Sequence, residues 1–180
     1  MSLEGLKLAH ICKQSKSVTK WPGLRVVRDN RYLPVKVDET INTSILIRRG
    51  ILQIDECRFS LAAQKDSRRL YASIVVEQEG SLVITRSDFM GSMGTVGIYN
   101  MGGKVNIREC SFKEHGGMAV WVNGGPETGL VMKNSVVSKC GDGLVVNGPF
   151  SGSVENNVIS ECSGVGMIAL LGNSSNLINN

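Results

Sequence analysis

One short pattern recurs along the chain and constrains its fold more than any other feature. It reads Ile54-Asp-Glu-Cys57-Arg-Phe59, then Ile84-Thr-Arg-Ser87-Asp-Phe89, then Ile107-Arg-Glu-Cys110-Ser-Phe112. It continues as Met132-Lys-Asn-Ser135-Val-Val137 and Val154-Glu-Asn-Asn157-Val-Ile159, and a last copy starts at Leu177. The leads at 54, 84, 107, 132, 154 and 177 are spaced by 30, 23, 25, 22 and 23 residues. A second pattern runs in step with it, in Ser73-Ile-Val-Val76, Gly97-Ile-Tyr-Asn100, Ala119-Val-Trp-Val122, Gly143-Leu-Val-Val146 and Gly166-Met-Ile-Ala169. Two ladders with one period of about 20–30 residues are the signature of stacked repeats.

The runs are short, rich in Val and Ile, and bounded by Gly, Asn and Ser, so each copy reads as strands and turns. A helical repeat would need apolar stripes at period 3.6 through segments that these glycines interrupt. The chain is therefore expected to be all-β, a single right-handed parallel β-helix of about six coils of 22–25 residues. Matching residues then stand above one another at about 4.8 Å. The aliphatic lead and the position reading Phe59, Phe89, Phe112, Val137, Ile159 should point into the lumen. Between them Cys57, Ser87, Cys110, Ser135, Asn157 and Asn180 form a polar corner ladder. Such a ladder is tolerable inside only if it bonds to backbone or to its neighbours one coil away. Asp55, Thr85, Arg108, Lys133 and Glu155 mark a solvent face.

Residues 1–23 differ from the rest. Leu3, Leu6, Leu8 and Ile11 suggest a short helix capping the N-terminal end of the solenoid, with a partner-binding tail as the alternative. The β-helix is expected over 24–180, with Leu24–Val27, Leu33–Val37 and Ile45–Ile47 as strand-like runs of its first coil. Asn180 falls mid-copy, so the solenoid is read as truncated there, with end-to-end self-association through an open C-terminal coil as a consequence.

Composition separates function classes. With 42% apolar and 20% charged residues the chain is globular. No transmembrane run and no signal-peptide pattern is evident. The first fifty residues hold ten bases and four acids, +6 of a total of +4, which leaves −2 for the rest. No nucleic-acid motif accompanies this charge, so a solvated face is the expectation. Five cysteines, Cys12, Cys57, Cys110, Cys140 and Cys162, make an odd set without a regular framework and point to a reducing, intracellular compartment, cytoplasmic or nuclear. Cys140 and Cys162 share a register one coil apart, within disulfide range, and are read as buried thiols. There is no Cys-x-x-Cys, and His10 and His115 are isolated in sequence, so neither a metal nor a cofactor is expected.

Catalysis on such a scaffold would need acids converging from adjacent coils. Asp55 and Glu155 share a register but stand four coils apart, about 19 Å at the sheet spacing. Asp88 and Asp142 have no aligned acid, and Glu56 and Glu109 lie two coils apart. Binding features fit the chain better. The long interval from 54 to 84 places an insertion near 62–70, where Lys65, Arg68 and Arg69 make a basic loop. Asn123–Gly129 is a second loop at the edge. Alternation points Tyr99 and Trp121 outward on adjacent coils, either as an exposed pair for a partner or as a pair covered by a loop of the same chain.

Gly143-Leu-Val-Val146, Val154-Glu-Asn-Asn157-Val-Ile159 and Gly164-Val-Gly-Met167 resemble the repeat of the pectin-lyase-like right-handed β-helix. The version they resemble most is that of the intracellular β-helix F-box proteins and SHC-SH2-binding proteins. The likeness spans about residues 45–180. Copies over 54–112 depart from it, with Cys or Ser for Asn and Phe for Ile. The resemblance implies a protein-recognition or scaffold module of a larger intracellular protein, binding a protein or peptide partner. A β-helix that binds or cleaves polysaccharide, by lyase or hydrolase chemistry, is the alternative.

Overall fold

The structure is a computed structural model that describes residues 18–22, 25–28, 35–36, 41–61, 69–169, 175–178 and 180. Three short strands come first: β1 (Val18–Pro22), β2 (Arg25–Arg28) and β3 (Val35–Lys36). The next coils are β4 (Ile41–Asp55) with β5 (Arg58–Leu61), then β6 (Leu70–Thr85) with β7 (Asp88–Met90). Three-stranded coils follow: β8 (Thr95–Met101), β9 (Lys104–Arg108) and β10 (Ser111–Lys113), then β11 (Met118–Asn123), β12 (Gly129–Lys133) and β13 (Val136–Ser138). β14 (Asp142–Asn147), β15 (Ser151–Glu155), β16 (Val158–Ser160), β17 (Met167–Ala169) and β18 (Ser175–Ile178) complete the stack.

Successive coils pair in parallel and in the register set by the two sequence ladders. Ile54, Ile84, Ile107, Met132, Val154 and Leu177 are consecutive partners, and so are Phe59, Phe89, Phe112, Val137 and Ile159. β1 belongs to the same stack, with Trp21 aligned to Ile54, so parallel pairing begins before residue 24. β3 does not join it. Val35 and Lys36 run antiparallel to β4 rather than as a rung of the first coil. The N-terminal helix expected over Leu3–Ile11 lies outside the described residues.

β4 and β6 are long enough, at 15 and 16 residues, to turn a solenoid corner without breaking. From β8 onward the corner is a turn. Gly102 sits there at φ 94°, a region that L side chains rarely adopt. Gly97 serves packing instead: a Cβ on it would lie 2.7 Å from the Phe112 ring and collide with the Ala119 carbonyl.

The lumen is a continuous apolar core from both ladders and from Ile45, Ile74, Ile98, Val120 and Leu144. Each such side chain contributes about 1.5–3 kcal/mol on burial. Phe59, Phe89 and Phe112 stack face to face, with centroids 4.5 and 4.6 Å apart and planes within 10°. Leu177, in the last described coil, is 36% exposed, while the other leads are buried.

The polar corner ladder is satisfied coil to coil. Ser87 Oγ accepts the Cys57 N–H, and Ser135 Oγ accepts the Cys110 N–H, each at 3.1 Å. Asn157 Oδ1 accepts the Ser135 N–H at 3.0 Å, and Asn180 Oδ1 accepts the Asn157 N–H at 3.2 Å. The residue before each corner, Glu56, Arg86, Glu109, Asn134 or Asn156, is left-handed at φ 46–54°. Only the asparagines suit that geometry intrinsically, so the stack imposes it on the others.

Candidate functional site

The outward face of the sheet built on β8, β11 and β14 carries a column of apolar residues. Leu46, Val75, Tyr99, Trp121, Val145 and Ile168 are partners in consecutive coils, each following a lumen lead. Alternation along a strand requires this outward aim, as the sequence indicates. Tyr99 and Trp121 stack at 4.3 Å and 18°. The two rings differ in exposure. Tyr99 is 3% exposed and Trp121 half-buried: Leu46, Val75 and Tyr99 form a second apolar cluster with Ile41, Ala72 and Val96, and Trp121 packs against it. Leu70, Met101 and Met118 pack against that cluster. Asn123 Nδ2 also donates to the Tyr99 hydroxyl. Val145, the next rung, is buried, whereas Ile168 is 42% exposed and Val165 before it is exposed as well.

The predicted loops divide. Arg69 is half-buried at the start of β6, while Lys65 and Arg68 lie outside the described residues. The loop after β11 is well fixed. Gly124 N–H donates to Asn147 O at 2.6 Å, Thr128 N–H to Gly125 O at 3.0 Å, and only Pro126 and Glu127 at its tip are exposed.

Asp55, Glu56, Asp88, Asp142 and Glu155 are held by partners one coil away. Asp55 accepts from Thr85 Oγ1 at 2.5 Å and pairs with Arg86, which also binds Glu56 at 3.2 Å. Asp88 pairs with Arg58 at 3.5 Å and accepts from Ser111 at 2.7 Å. Glu155 pairs with Lys133 at 2.9 Å, and hydrogen bonds from Ser153 and Lys133 hold its carboxyl below the ordinary range. Asp142 Oδ1 accepts the Val165 N–H at 2.8 Å, which is a turn function. Arg86 stands between the registers of Glu56 and Glu109, and Thr85, Arg108 and Lys133 separate Asp55 from Glu155. No two of these acids face each other across a free space where a glycosidic bond could sit. Among the described residues no group of three or more His, Cys, Asp or Glu is placed to hold a metal ion.

Sequence reasoning named His115 only as an isolated histidine and gave it no place in the fold. His115 is fully buried, with Nδ1 3.1 Å from Thr95 Oγ1. The Thr95 hydroxyl donates its proton to Ser92 O at 2.7 Å, so Nδ1 carries the imidazole proton. Nε2 then has no hydrogen-bond partner, and burial pushes the pKa down to about 4. His115 stands eight residues after its lead, the offset of Cys140 and Cys162, and that shared offset is the signal that could have found it. Cys110 is buried too, and burial pushes its thiol up to about 11. No helix among the described residues is long and apolar enough to cross a membrane.

Coil-to-coil parallel pairing, an apolar lumen and a satisfied polar corner define a parallel β-solenoid. A family model described as the right handed beta helix region matches residues 35–180, and the chain belongs to that family. Comparison with curated proteins and with solved structures gave no match.

Proposed function

We propose that this β-helix is a non-catalytic recognition or scaffold module of a larger intracellular protein, and that a protein or peptide partner docks on its outward apolar column. The observation that carries this reading is that two rungs of the column, Trp121 and Ile168, are not fully covered. Its early rungs are covered, while Trp121 is half-buried and Ile168 stands open beyond Val145. Natural surfaces seldom leave contiguous apolar area uncovered without an interaction to cover it. A half-buried Trp beside aliphatic rungs is the composition of a binding hot spot. The pairing of Asp55, Glu56, Asp88 and Glu155 with basic neighbours supports a binding rather than a catalytic role. The odd count of five cysteines, without a regular framework, supports the intracellular assignment.

The test is co-purification of the chain carrying Ile168→Asp or Trp121→Ala beside the unaltered protein, with an acidic-polysaccharide binding and cleavage assay in parallel. Loss of one defined polypeptide from both variants, with unchanged melting of Ile168→Asp, supports the proposal. Retention of that polypeptide by both variants overturns it. Saturable polysaccharide binding or release of reducing ends would assign the domain to carbohydrate instead. If the chain merely self-associates end to end through the open last coil, Leu177→Asp would abolish the association and Ile168→Asp would not.

A further inference from the structure

We propose that Cys140 and Cys162 form a thiol pair that a low-molecular-weight disulfide, such as glutathione disulfide, converts to an intrachain cross-link between successive coils. The two residues occupy one register. Ser138 and Ser160 are β-partners, and each cysteine follows a left-handed residue, Lys139 at φ 56° or Glu161 at φ 54°. The backbone is pinned on both sides of the pair: Ser163 N–H donates to Cys140 O at 2.9 Å and Gly141 N–H to His115 O at 2.7 Å. Both thiols aim at the carbonyl two residues upstream, Cys140 at Ser138 O and Cys162 at Ser160 O, at 3.4 and 3.7 Å. They therefore share a side-chain direction and stack at about the rung spacing of 4.8 Å. Bridged cysteines have Cα atoms about 4.4–6.8 Å apart, so a modest side-chain rotation closes the bond without moving a strand.

The two thiols differ in access, which orders the steps. Cys162 is half-buried, whereas Cys140 is 2% exposed and burial pushes its pKa up. The Cys162 thiolate attacks one sulfur of glutathione disulfide, forming a mixed disulfide and expelling one glutathione thiolate. Cys140 then loses its proton to solvent and attacks the Cys162 sulfur, which expels the second glutathione. Two protein thiols are oxidised by two electrons in all, and one disulfide is reduced to two thiols. The link would bolt the turn after β13 to the turn after β16, where Ile159, Met167 and Ala169 are only partly buried.

The experiment treats the purified chain with glutathione disulfide and maps its peptides by non-reducing mass spectrometry. Expected are a Cys140–Cys162 linked peptide in the unaltered chain, a glutathione adduct on Cys162 without a link in Cys140→Ala, and neither in Cys162→Ser. The linked form should melt several degrees higher than the reduced form and return on reduction. Melting of each reduced variant checks folding, and Cys140→Ser replaces Cys140→Ala if the latter is destabilised. A Cys162 adduct that persists in the unaltered chain, or a link joining any other cysteines, overturns the proposal.

Discussion

Asn157 ties two coils together through its side chain alone. Its Oδ1 accepts the Ser135 N–H at 3.0 Å, and its Nδ2 donates to Met132 O at 3.0 Å, both in the preceding coil. The amide does the work of a backbone rung where the strand has turned away. Asn157→Ala should leave a buried donor and acceptor unpaired and cost about 2–3 kcal/mol, read as a lower denaturation midpoint in urea. Asn157→Ser should cost less, since Ser87 and Ser135 fill the same ladder position with one bond each to the preceding coil. Equal losses for the two variants would show that the amide is not the tie.

The aromatic column makes a second demand. Phe89 lies between Phe59 and Phe112 and is fully buried, so truncation removes contacts on both faces at once. Phe89→Ala should cost about 3–5 kcal/mol, measured by equilibrium unfolding. Phe89→Leu, which matches the aliphatic rungs Val137 and Ile159, should lose a smaller part. A loss under about 1 kcal/mol for the alanine would mean that the lumen collapses into the gap.

His115 predicts an acid limb of stability. Its pKa falls from 6.5 to about 4 on folding because burial disfavours the imidazolium. Between those values the unfolded chain binds a proton that the native chain excludes, so stability falls as pH drops from about 6.5 and levels off below about 4. The contribution is about 3 kcal/mol. A melting series from pH 7.5 to 4 should show this loss, and His115→Gln should flatten that part of the curve. Parallel curves for the two proteins would remove His115 as the cause.

The fold was legible because a solenoid writes its register into the chain. The 54–177, 59–159 and 74–167 ladders locate three lumen columns, and Cys57 to Asn180 locates the corner. The outer face was not legible to the same degree. Alternation gives the direction of Tyr99 and Trp121 correctly, but it carries no information on what packs over them, and Tyr99 proves buried. The left-handed residues Glu56, Arg86 and Glu109 carry no local mark of their geometry, because the stack and not the residue selects it. His115 read as isolated only because its column changes residue type, from Ser92 through His115 to Cys140 and Cys162.

The most direct test of the recognition account places a photo-crosslinking amino acid at position 168, on the open end of the apolar column, and at position 127, on the tip of the loop after β11. Crosslinking is carried out on the chain in its native cell extract and read by mass spectrometry. The account predicts one defined polypeptide at 168, competed away by excess unlabelled chain but not by Ile168→Asp chain, and far less of it at 127. Equal, uncompeted labelling at the two positions, or labelling at 168 confined to copies of the chain itself, would contradict it.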